Sequence, residues 1–431
     1  MMKTLFYDRL HLNLQIFILL LIFFNADLSA AHSQKVKVGV DRLMQEEYKI
    51  LLKGKTIGLI TNHTAIGGNL HSTADILKSH AQTREYTLKA LFAPEHGIDG
   101  AAYAFEPVEG DKDADNLPIY SLHGKTDRPT DLMLKDIDML IFDIQDIGTR
   151  SYTYISTMFY AMEEAAKRNI SFVVLDRPNP INGLTVDGPL LEEKWRSSLG
   201  YINIPYCHGM TVGELARFFN EEYRIGCQLT IVPMKGWNRS MSFEETGLPW
   251  IPTSPYIPDV TTPFYYPTTG ILGELAFVNI GIGYTLPFKV VGAPWIKAAH
   301  FATQLNAQKF PGVYFRPFYY RPIYGRFAKK DCEGVLILIT DPLRFKPVST
   351  QYLILGMLKS LYPEAFQDAI TAAKKRKETL CKLNGTEDVY QLIVEEKNIV
   401  WKLCALQEKG REAFMKKREK YLIKEYHLTH P

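Results

Sequence analysis

Four short apolar segments, each followed at once by charged or amide side chains, dominate the first half of this chain of 431 residues. The segments are TIGLIT (56–61), LKALFA (88–93), DMLIFD (138–143) and FVVLD (172–176). Short runs of Val, Ile, Leu and Phe between turn residues are typical of strands buried on both faces. Helical periodicity at 73–80 and 153–168 separates consecutive strands, which favours parallel strands joined by right-handed crossovers. The sequence therefore predicts an α/β fold built on a parallel sheet.

The polar side chains that follow the four strands predict a functional site. Open α/β sheets bind ligands outside the carboxyl ends of their strands. Acids, bases and amides at four such ends are more than solubility requires, and this pattern indicates an enzyme.

A proline-rich stretch from Leu248 to Pro267 divides the chain. Proline fixes φ and lacks an amide donor, so this stretch is predicted to be extended and irregular. We place a domain boundary near its end, which gives a catalytic domain at 32–262 and a smaller C-terminal α/β domain at 263–431. In the second domain EGVLILITD (333–341) is the clearest strand, and a basic helix is predicted at 408–425.

The first 31 residues have the pattern of a secretory signal peptide. Lys3 and Arg9 precede the apolar run 16–24, and small residues follow it at 29–31. The run is short for a membrane-spanning helix, and an uncleaved N-terminal anchor is the alternative. The signal predicts export to the periplasm or the extracellular space, with no stable membrane insertion after cleavage.

The net charge argues against a nucleic-acid-binding protein, and the cysteine spacing argues against a protein with a structural zinc site. A net charge of +3, dispersed along the chain, gives no reason to expect a nucleic-acid partner. Five widely spaced cysteines without a CxxC pair do not predict a structural zinc site. Neither the pairing of these cysteines nor the oligomeric state follows from the sequence.

Glu95, in APEHG, is the strongest candidate for a catalytic residue. It directly follows a strand, and Gly97 and Gly100 allow other groups to approach closely. Apolar surroundings disfavour the ionised form of a carboxyl group, and a general acid must carry its proton at neutral pH. The alternative is a carboxylate that pairs with Arg150 or Arg177 and holds loops together.

Asp143 and Asp146 stand three residues apart, at a strand end and in the following turn. Such a pair can act as a base and its orienting group, or as ligands for Mg²⁺ or Ca²⁺. For Asp146 the structural alternative is the N-cap of a helix after Gly148. Tyr152 and Tyr154 come next and are expected to point back over the edge of the sheet.

Two arginines and an asparagine are suited to an anionic ligand. Arg177 and Asn179 lie in DRPNP, a loop stiffened by proline, and Arg150 follows the third strand. Arginine binds carboxylates through two hydrogen bonds, and asparagine both donates and accepts. His208, in YCHGMT, either donates to a ligand or stabilises its own turn.

Several motifs are absent from the chain, and their absence narrows the chemistry. There is no GxGxxG after the first strand, no GxxxxGK[ST], no HExxH and no GxSxG. Dinucleotide redox chemistry, nucleotide hydrolysis, zinc proteolysis and the usual serine hydrolase mechanism are therefore disfavoured. Several carboxylates without these motifs fit hydrolysis of a glycosidic bond best.

Several segments, in this order along the chain, resemble the exo-β-N-acetylmuramidase family of NamZ-like enzymes. They are LITNHTAI, FAPEHG, LPIYSLHGKTDRPT, DMLIFDIQDIGTRSYTYISTM, VLDRPNPING, HGMTVGELARFFN, MKGWNRSM and VGAPWI, and the resemblance covers residues 36–425. It implies a Rossmann-like N-terminal domain, a smaller C-terminal α/β domain and an active site in the cleft between them. It also implies release of terminal N-acetylmuramic acid from the non-reducing end of peptidoglycan fragments, without a metal or another cofactor.

The resemblance also assigns residues. The glutamate of the family's EHG motif corresponds to Glu95, and the aspartates of its DIQD motif correspond to Asp143 and Asp146. These three residues are the predicted catalytic set. The substrate-binding residues predicted from motif and position together are Asn62, His63, His96, Arg150, Tyr152, Tyr154, Arg177, Asn179, His208 and Glu274.

Two departures from the family pattern bear on specificity. His63 stands where the family usually has glutamine. The segment 270–288 lacks the Glu and Arg of the family's SEGRGT segment, which leaves Glu274 and Asn279 as its nearest polar groups. The alternatives to the muramidase are therefore a glycosidase with an altered sugar preference and a non-catalytic protein that binds peptidoglycan fragments.

Overall fold

Twelve strands and twelve helices make up the part of the chain that the structure describes. The computed structural model describes residues 36–427 apart from positions 82, 84, 105 and 108 and the side chain of Lys49, so the predicted signal peptide lies outside the described residues. The strands are β1 (Thr56–Thr61), β2 (Thr87–Ala93), β3 (Asp111–Lys112), β4 (Pro118–Ser121), β5 (Met139–Asp143), β6 (Ser171–Leu175), β7 (Asp187–Leu190), β8 (Pro205–Cys207), β9 (Leu229–Val232), β10 (Val290–Ala293), β11 (Val313–Tyr320) and β12 (Cys332–Ile339). The helices are α1 (Gly39–Leu43), α2 (Thr73–His80), α3 (Tyr154–Lys167), α4 (Val212–Glu222), α5 (Thr262–Glu274), α6 (Ala298–Ala307), α7 (Pro347–Leu361), α8 (Pro363–Lys375), α9 (Lys377–Asn384), α10 (Asp388–Glu395), α11 (Val400–Ala405) and α12 (Glu408–Arg418).

The central sheet has seven strands in the order β3-β4-β2-β1-β5-β6-β9. All neighbours pair in parallel except β3 and β4, which are antiparallel. The four apolar segments of the sequence are strands β1, β2, β5 and β6 of this sheet, so the prediction of a parallel α/β sheet is confirmed.

Both faces of the sheet are buried at its central strands, which explains why these strands are largely apolar runs. In β5, Leu140 and Phe142 pack into the core that contains Met158 of α3. Met139 and Ile141 point to the opposite face, into a second core that also includes residues of α2. Side chains alternate between the faces of a strand, so burial on both sides requires a continuous apolar run.

Helix α4 begins where its sequence indicates. Thr211 is its N-cap and accepts a hydrogen bond from the backbone of Glu214, whose carboxylate accepts one from the Thr211 backbone. This reciprocal capping box satisfies amide groups that have no partner within the helix.

The proline-rich stretch is not irregular to its end, contrary to prediction, because α5 begins at Thr262. Pro263 lies in its first turn, where a missing amide hydrogen costs nothing. Pro267 lies inside the helix, and the N–H of Ile271 donates to the Gln351 side chain of α7 at 3.0 Å. Tertiary packing therefore overrides the low helix propensity of proline here.

A three-stranded antiparallel sheet, in the order β10-β12-β11, and the helices from α6 onward form the smaller C-terminal part. The predicted basic helix ends at Arg418 rather than Glu425. The residues beyond it cross back to the N-terminal half, where Ile423 and Tyr426 pack with Val36 and Trp237. The observed helix is shorter than the predicted one because the chain has to leave the helix axis to make these contacts.

Within the described ranges no helix is long and apolar enough to cross a membrane.

Candidate active site

A cavity of about 400 Å³ lies between the two halves of the chain, and we call it the main cavity. Residues from the N-terminal half that line it include Glu95, His96, Tyr152, Thr153, Tyr206 and Tyr256. Residues from the C-terminal half that line it include Tyr266, Glu274, Asn279, Arg326, Arg376 and Leu383. Of the predicted site residues the structure brings Glu95, His96, Tyr152 and Glu274 to this cavity.

Glu95 is held in a buried position just beyond the end of β2. Its side chain is 5% exposed, and its Oε2 accepts a hydrogen bond from the Thr153 hydroxyl at 2.6 Å. Thr153 is the residue directly before α3, so the start of that helix fixes the carboxyl group. The Nε2 atom of His123 lies 3.9 Å from Oε1. Neither Arg150 nor Arg177 pairs with Glu95, because both have other partners.

Glu95 also stands at the junction of the main cavity and a smaller one. This side cavity, of about 50 Å³, shares Glu95 and Thr153 with the main cavity and is otherwise lined by residues that include His123 and Tyr160. At about 50 Å³ the side cavity is well below the roughly 300–1,000 Å³ of pockets for small ligands, so a sugar fits only on the main-cavity side of Glu95.

The loop after Glu95 is shaped by residues with positive φ. His96 has φ 72° and Gly97 has φ 80°, which turns the chain sharply at the end of the strand. The Nδ1–H of His96 donates to the carbonyl of Ala102 at 2.8 Å. The imidazole thereby pins the loop to the cavity wall.

Tyr152 and Tyr154 connect the cavity wall to the proline-rich stretch. The Tyr152 hydroxyl donates to Thr253 Oγ1 at 2.9 Å, and the Tyr154 hydroxyl donates to the Thr253 carbonyl at 2.6 Å. Burial raises the pKa of both phenols, so both stay protonated as donors. Tyr152 faces the main cavity, whereas Tyr154 is fully buried behind it.

Asp143 and Arg177 form a buried ion pair that does not line the main cavity. Arg177 Nε contacts one carboxylate oxygen of Asp143, and its Nη2 lies 2.9 Å from the other. The Thr73 hydroxyl also donates to Asp143, and Arg177 donates to the Ile66 carbonyl at 3.0 Å. The pair joins the ends of β5 and β6 to the loop after β1.

Asp146 is buried beside the site, but it does not line the main cavity. Its Oδ2 accepts from the Gly148 amide at 2.6 Å, and Oδ1 has no hydrogen-bond partner among the described residues. Burial raises the pKa of Asp146 to about 7. It is not the N-cap of the next helix, because α3 begins only at Tyr154.

Arg150 is fully buried and has no carboxylate partner in the part of the chain described. Its guanidinium donates to the carbonyls of Pro189, Ile204 and Leu383 at 2.7, 2.8 and 3.0 Å. Burial lowers the pKa of Arg150 to about 10. Arg150 therefore connects the two halves of the chain and does not line the main cavity.

His208 stabilises its own turn, which was one of its two predicted roles. Its Nδ1 accepts from the Met210 amide at 3.2 Å. Burial and then the neighbouring charges of Arg418 and Arg150 lower the pKa of His208 to about 3. The imidazole is therefore neutral and lies outside the main cavity.

The three remaining predicted residues also shape loops and do not line the main cavity. Asn62 Oδ1 accepts from the Thr64 amide at 3.0 Å, and His63 Nε2 donates to the Pro252 carbonyl at 2.6 Å. Asn179 Nδ2 donates to the Met210 carbonyl at 3.0 Å. Polar side chains at strand ends can form hydrogen bonds within the loops that carry them, and most of these side chains do so here.

The C-terminal half supplies cations that the sequence did not reveal. Arg376 pairs with Glu274 at 3.0 Å, and Arg326 faces Asp368 across 4.0 Å. Both arginines line the main cavity. No motif surrounds either of them, and the only signal in the sequence was the unusual segment 270–288, whose Glu274 and Asn279 do line the cavity.

In residues 36–427, with the gaps already given, no three His, Cys, Asp or Glu side chains are grouped so that they could hold a metal ion.

Comparisons with known proteins cover almost the whole of the described chain. The family model for exo-β-N-acetylmuramidase NamZ, N-terminal, matches residues 57–261, and the C-terminal model of the same family matches residues 264–423. The peptidoglycan β-N-acetylmuramidase NamZ of Bacillus subtilis (strain 168) is 42% identical over 394 residues, which are 91% of this chain and 92% of that protein.

Two crystal structures of DUF1343 family proteins from Bacteroides fragilis share the fold. The first has a TM-score of 0.82 and 40% identity, and the match covers 90% of this chain and 99% of that one. The second has a TM-score of 0.66 and 27% identity, with 91% and 99% covered. The α/β architecture with two parts is therefore shared with experimentally solved structures.

Proposed function

Because this chain belongs to the exo-β-N-acetylmuramidase NamZ family and is a glycoside hydrolase, we propose that it releases terminal N-acetylmuramic acid from the non-reducing end of peptidoglycan fragments. The B. subtilis relative is named for the same sugar. The proposed partners are saccharides that end in muramic acid.

The position of Glu95 in the wall of the main cavity, which is large enough for a terminal sugar, is the observation that carries the proposal. An exo-acting enzyme must hold the terminal sugar on one side of the scissile bond and the rest of the saccharide on the other. We assign Glu95 as the general acid, which gives its proton to the glycosidic oxygen while the bond between that oxygen and the anomeric carbon breaks, and water supplies the hydroxyl group that the anomeric carbon gains. The neutral hydroxyl of Thr153 holds the carboxyl group without a competing charge.

The lactyl carboxylate of muramic acid needs a cationic partner. We assign this role to Arg326 and Arg376, because they line the main cavity while Arg150 and Arg177 are committed elsewhere. Both arginines have about half of the side chain exposed, so a ligand can reach them. Arginine is well suited to this because its planar guanidinium can bind both oxygens of a carboxylate.

Turnover of a chromogenic N-acetylmuramic acid β-glycoside tests the proposal. Wild type is expected to release the sugar, and Glu95→Gln, which keeps the shape but loses the acidic proton, should lower kcat by roughly 10²–10⁴-fold. Glu193→Gln is the control, since Glu193 is exposed on the surface. A folded Glu95→Gln protein with near-normal turnover would exclude Glu95 as the acid.

A second candidate function, the binding of peptidoglycan fragments without catalysis, is motivated by the altered segment 270–288. The same experiment separates the two. Tight binding of the muramic acid glycoside by wild type without any release of product would favour the binding protein.

We also propose that the protein is exported, on the strength of the signal pattern in residues 1–31. N-terminal sequencing of the protein recovered from a fractionated bacterial host would test this. A mature chain that begins near residue 32 and lies outside the cytoplasm is the expected result.

A further inference from the structure

Two exposed tyrosines lie next to Tyr256, which lines the main cavity. Tyr103 is 53% exposed and Tyr324 is 51% exposed, whereas Tyr256 between them lines the cavity. The rings of Tyr103 and Tyr256 are 6.1 Å apart at an angle of 36°. Burial, and after it the adjacent Tyr324 hydroxyl, raises the pKa of Tyr256 to about 12. Exposed apolar groups that cluster at a cavity mark a binding surface.

The loop that carries Tyr103 is fixed to the wall of the cavity. His96, next to Glu95, donates from Nδ1 to the Ala102 carbonyl at 2.8 Å. The Tyr103 amide donates to the Glu106 carboxylate at 2.9 Å. The backbone at Tyr103 is therefore tied, through Ala102, to the loop that directly follows Glu95.

The loop that carries Tyr324 is fixed in the same way from the C-terminal half. The Ile323 amide donates to the Gly283 carbonyl at 2.7 Å, and Asn279 Nδ2 donates to the Arg326 carbonyl at 3.0 Å. Asn279 itself lines the cavity. Since both loops are anchored before a ligand arrives, little conformational entropy is lost when one binds.

The size of the cavity indicates what these rings would contact. Pockets for small ligands have volumes of roughly 300–1,000 Å³, and a cavity of about 400 Å³ is near the lower end. It can take the sugar at the chain end, but a glycan of several sugars has to leave through the mouth. The apolar C–H face of a pyranose ring packs well on an aromatic ring, and the tyrosine hydroxyl can bond to sugar hydroxyls.

We propose that Tyr103, Tyr256 and Tyr324 form a saccharide-binding platform for the sugar units beyond the terminal disaccharide, so that longer glycan chains are preferred. The platform rests on the proposed function, because it takes its occupant to be the remainder of the substrate. Three rings from three separate segments of the chain compose it, and it continues directly from the wall of the main cavity.

The experiment compares kcat/KM for a disaccharide and a tetrasaccharide of alternating sugars, both with terminal N-acetylmuramic acid. Wild type should prefer the tetrasaccharide. Tyr103→Ala and Tyr324→Ala should each lower kcat/KM for the tetrasaccharide by roughly three- to tenfold and leave the disaccharide nearly unchanged. Tyr324→Phe keeps the ring and should keep most of the preference.

Tyr314→Ala is the matched control, because Tyr314 is also 51% exposed but lies on β11, and none of the described residues of that strand lines the main cavity. Equal kcat/KM of wild type for both substrates would overturn the platform. Equal losses on both substrates in the Tyr103 and Tyr324 variants would do so too, because they would mean that the rings only support the loops.

Failure of the proposed function gives a different result. If wild type releases no sugar from either substrate, calorimetric binding of the tetrasaccharide still tests the platform. Binding weakened three- to tenfold in Tyr103→Ala and Tyr324→Ala, but not in Tyr314→Ala, would support it, and unchanged binding would overturn it.

Discussion

Arg326 and Arg376 both line the main cavity, but their charges are neutralised to different extents. Glu274 lies 3.0 Å from Arg376, whereas Asp368 lies 4.0 Å from Arg326 and is largely exposed to solvent. A substrate carboxylate that meets Arg376 must compete with Glu274. Arg326 is therefore the better single residue with which to test recognition of the lactyl group.

Replacement of Arg326 by glutamine should lower kcat/KM for muramic acid substrates by roughly ten- to a hundredfold, because a charge-assisted pair contributes about 1.5–3 kcal/mol. N-acetylglucosamine analogues lack the lactyl group, and their turnover should change little. Steady-state kinetics on both glycosides measures the difference, with the exposed Arg316→Gln on β11 as control. Similar losses on both sugars would refute lactyl recognition by Arg326.

His208 gives a prediction about pH. Its pKa is about 3 in the folded state against 6.5 for the free side chain, so below pH 6.5 the unfolded chain takes up a proton that the folded protein refuses. Stability is therefore lost as the pH falls from 6.5 towards 3, at about 1.4 kcal/mol per pH unit. His208→Asn keeps an acceptor for the Met210 amide and removes this dependence.

The comparison between wild type and His208→Asn isolates the effect of the histidine. Asp146 and Asp176, whose pKa values burial raises to about 7, act in the opposite direction in both proteins. Relative to wild type, His208→Asn should gain about 2 kcal/mol between about pH 7 and pH 5 in urea unfolding. A parallel pH dependence in wild type and His208→Asn would contradict the assignment.

Strand ends could be located from the sequence, but the direction of each side chain could not. Glu95 and Tyr152 face the cavity, whereas Asp143 and Arg177 turn towards each other and Arg150 towards backbone carbonyls. Whether a polar side chain faces the cavity or binds within the protein depends on partners far away in the sequence. For Arg150 one such partner is Leu383, 233 positions later. A strand pattern contains no information about such partners.

At the scale of elements, the shape of the loop after β2 depends on Gly100. Gly100 has φ 71°, and a Cβ built there would lie 1.9 Å from Cε1 of His63. That imidazole cannot move freely, because its Nε2 is bonded to the Pro252 carbonyl. The loop also carries Ala104 to the cavity wall, so its shape bears on the site.

Gly100→Ala should therefore lose stability and activity together. The left-handed backbone costs an alanine about 1–2 kcal/mol, and displacement of His63 adds to this. Gly54→Ala is a close control, since Gly54 has the same φ of 71° with nothing within 4 Å of the added Cβ. Thermal melts and turnover of the disaccharide should show the larger loss for Gly100→Ala. Equal losses in the two variants would mean that the contact with His63 is harmless.

The helices predicted at 73–80 and 153–168 are α2 (Thr73–His80) and α3 (Tyr154–Lys167), so helices with clear local signals could be located from the sequence. A helix that depends on tertiary packing could not. Helix α4 could be located by the capping pair Thr211 and Glu214, which acts within one turn. Helix α5 contains Pro267 and owes its stability to packing against α7, so proline spacing alone gave the wrong assignment. A capping pair that acts within one turn can be recognised in the sequence, whereas packing between distant segments cannot.

At the scale of the whole molecule, the last described residues complete the N-terminal half. The Tyr426 hydroxyl donates to Asp176 at 2.7 Å and accepts from the Met234 amide at 2.7 Å. The Ile423 amide donates to the buried carboxylate of Glu214 at 2.8 Å. Without this segment two buried carboxylates lose hydrogen-bond donors.

Deletion of residues 419–431 should therefore lower the free energy of unfolding by at least about 3 kcal/mol, since each large apolar side chain that loses its burial costs roughly 1.5–3 kcal/mol. Urea unfolding measures this. Tyr426→Phe is the milder variant in case the truncated chain does not fold, and it should lose about 1–3 kcal/mol through the unpaired carboxylate. An unchanged unfolding midpoint in Tyr426→Phe would show that the tail contacts the N-terminal half but adds nothing to its stability.

The return of the tail also sets an order of events during synthesis. A ribosome makes the central sheet first, yet Asp176 must wait for Tyr426, which is added 250 positions later. Contacts that join such distant positions form slowly, because a long loop has to close before they are made. The N-terminal half therefore cannot reach its final packing until Tyr426 has been made, long after its own sheet.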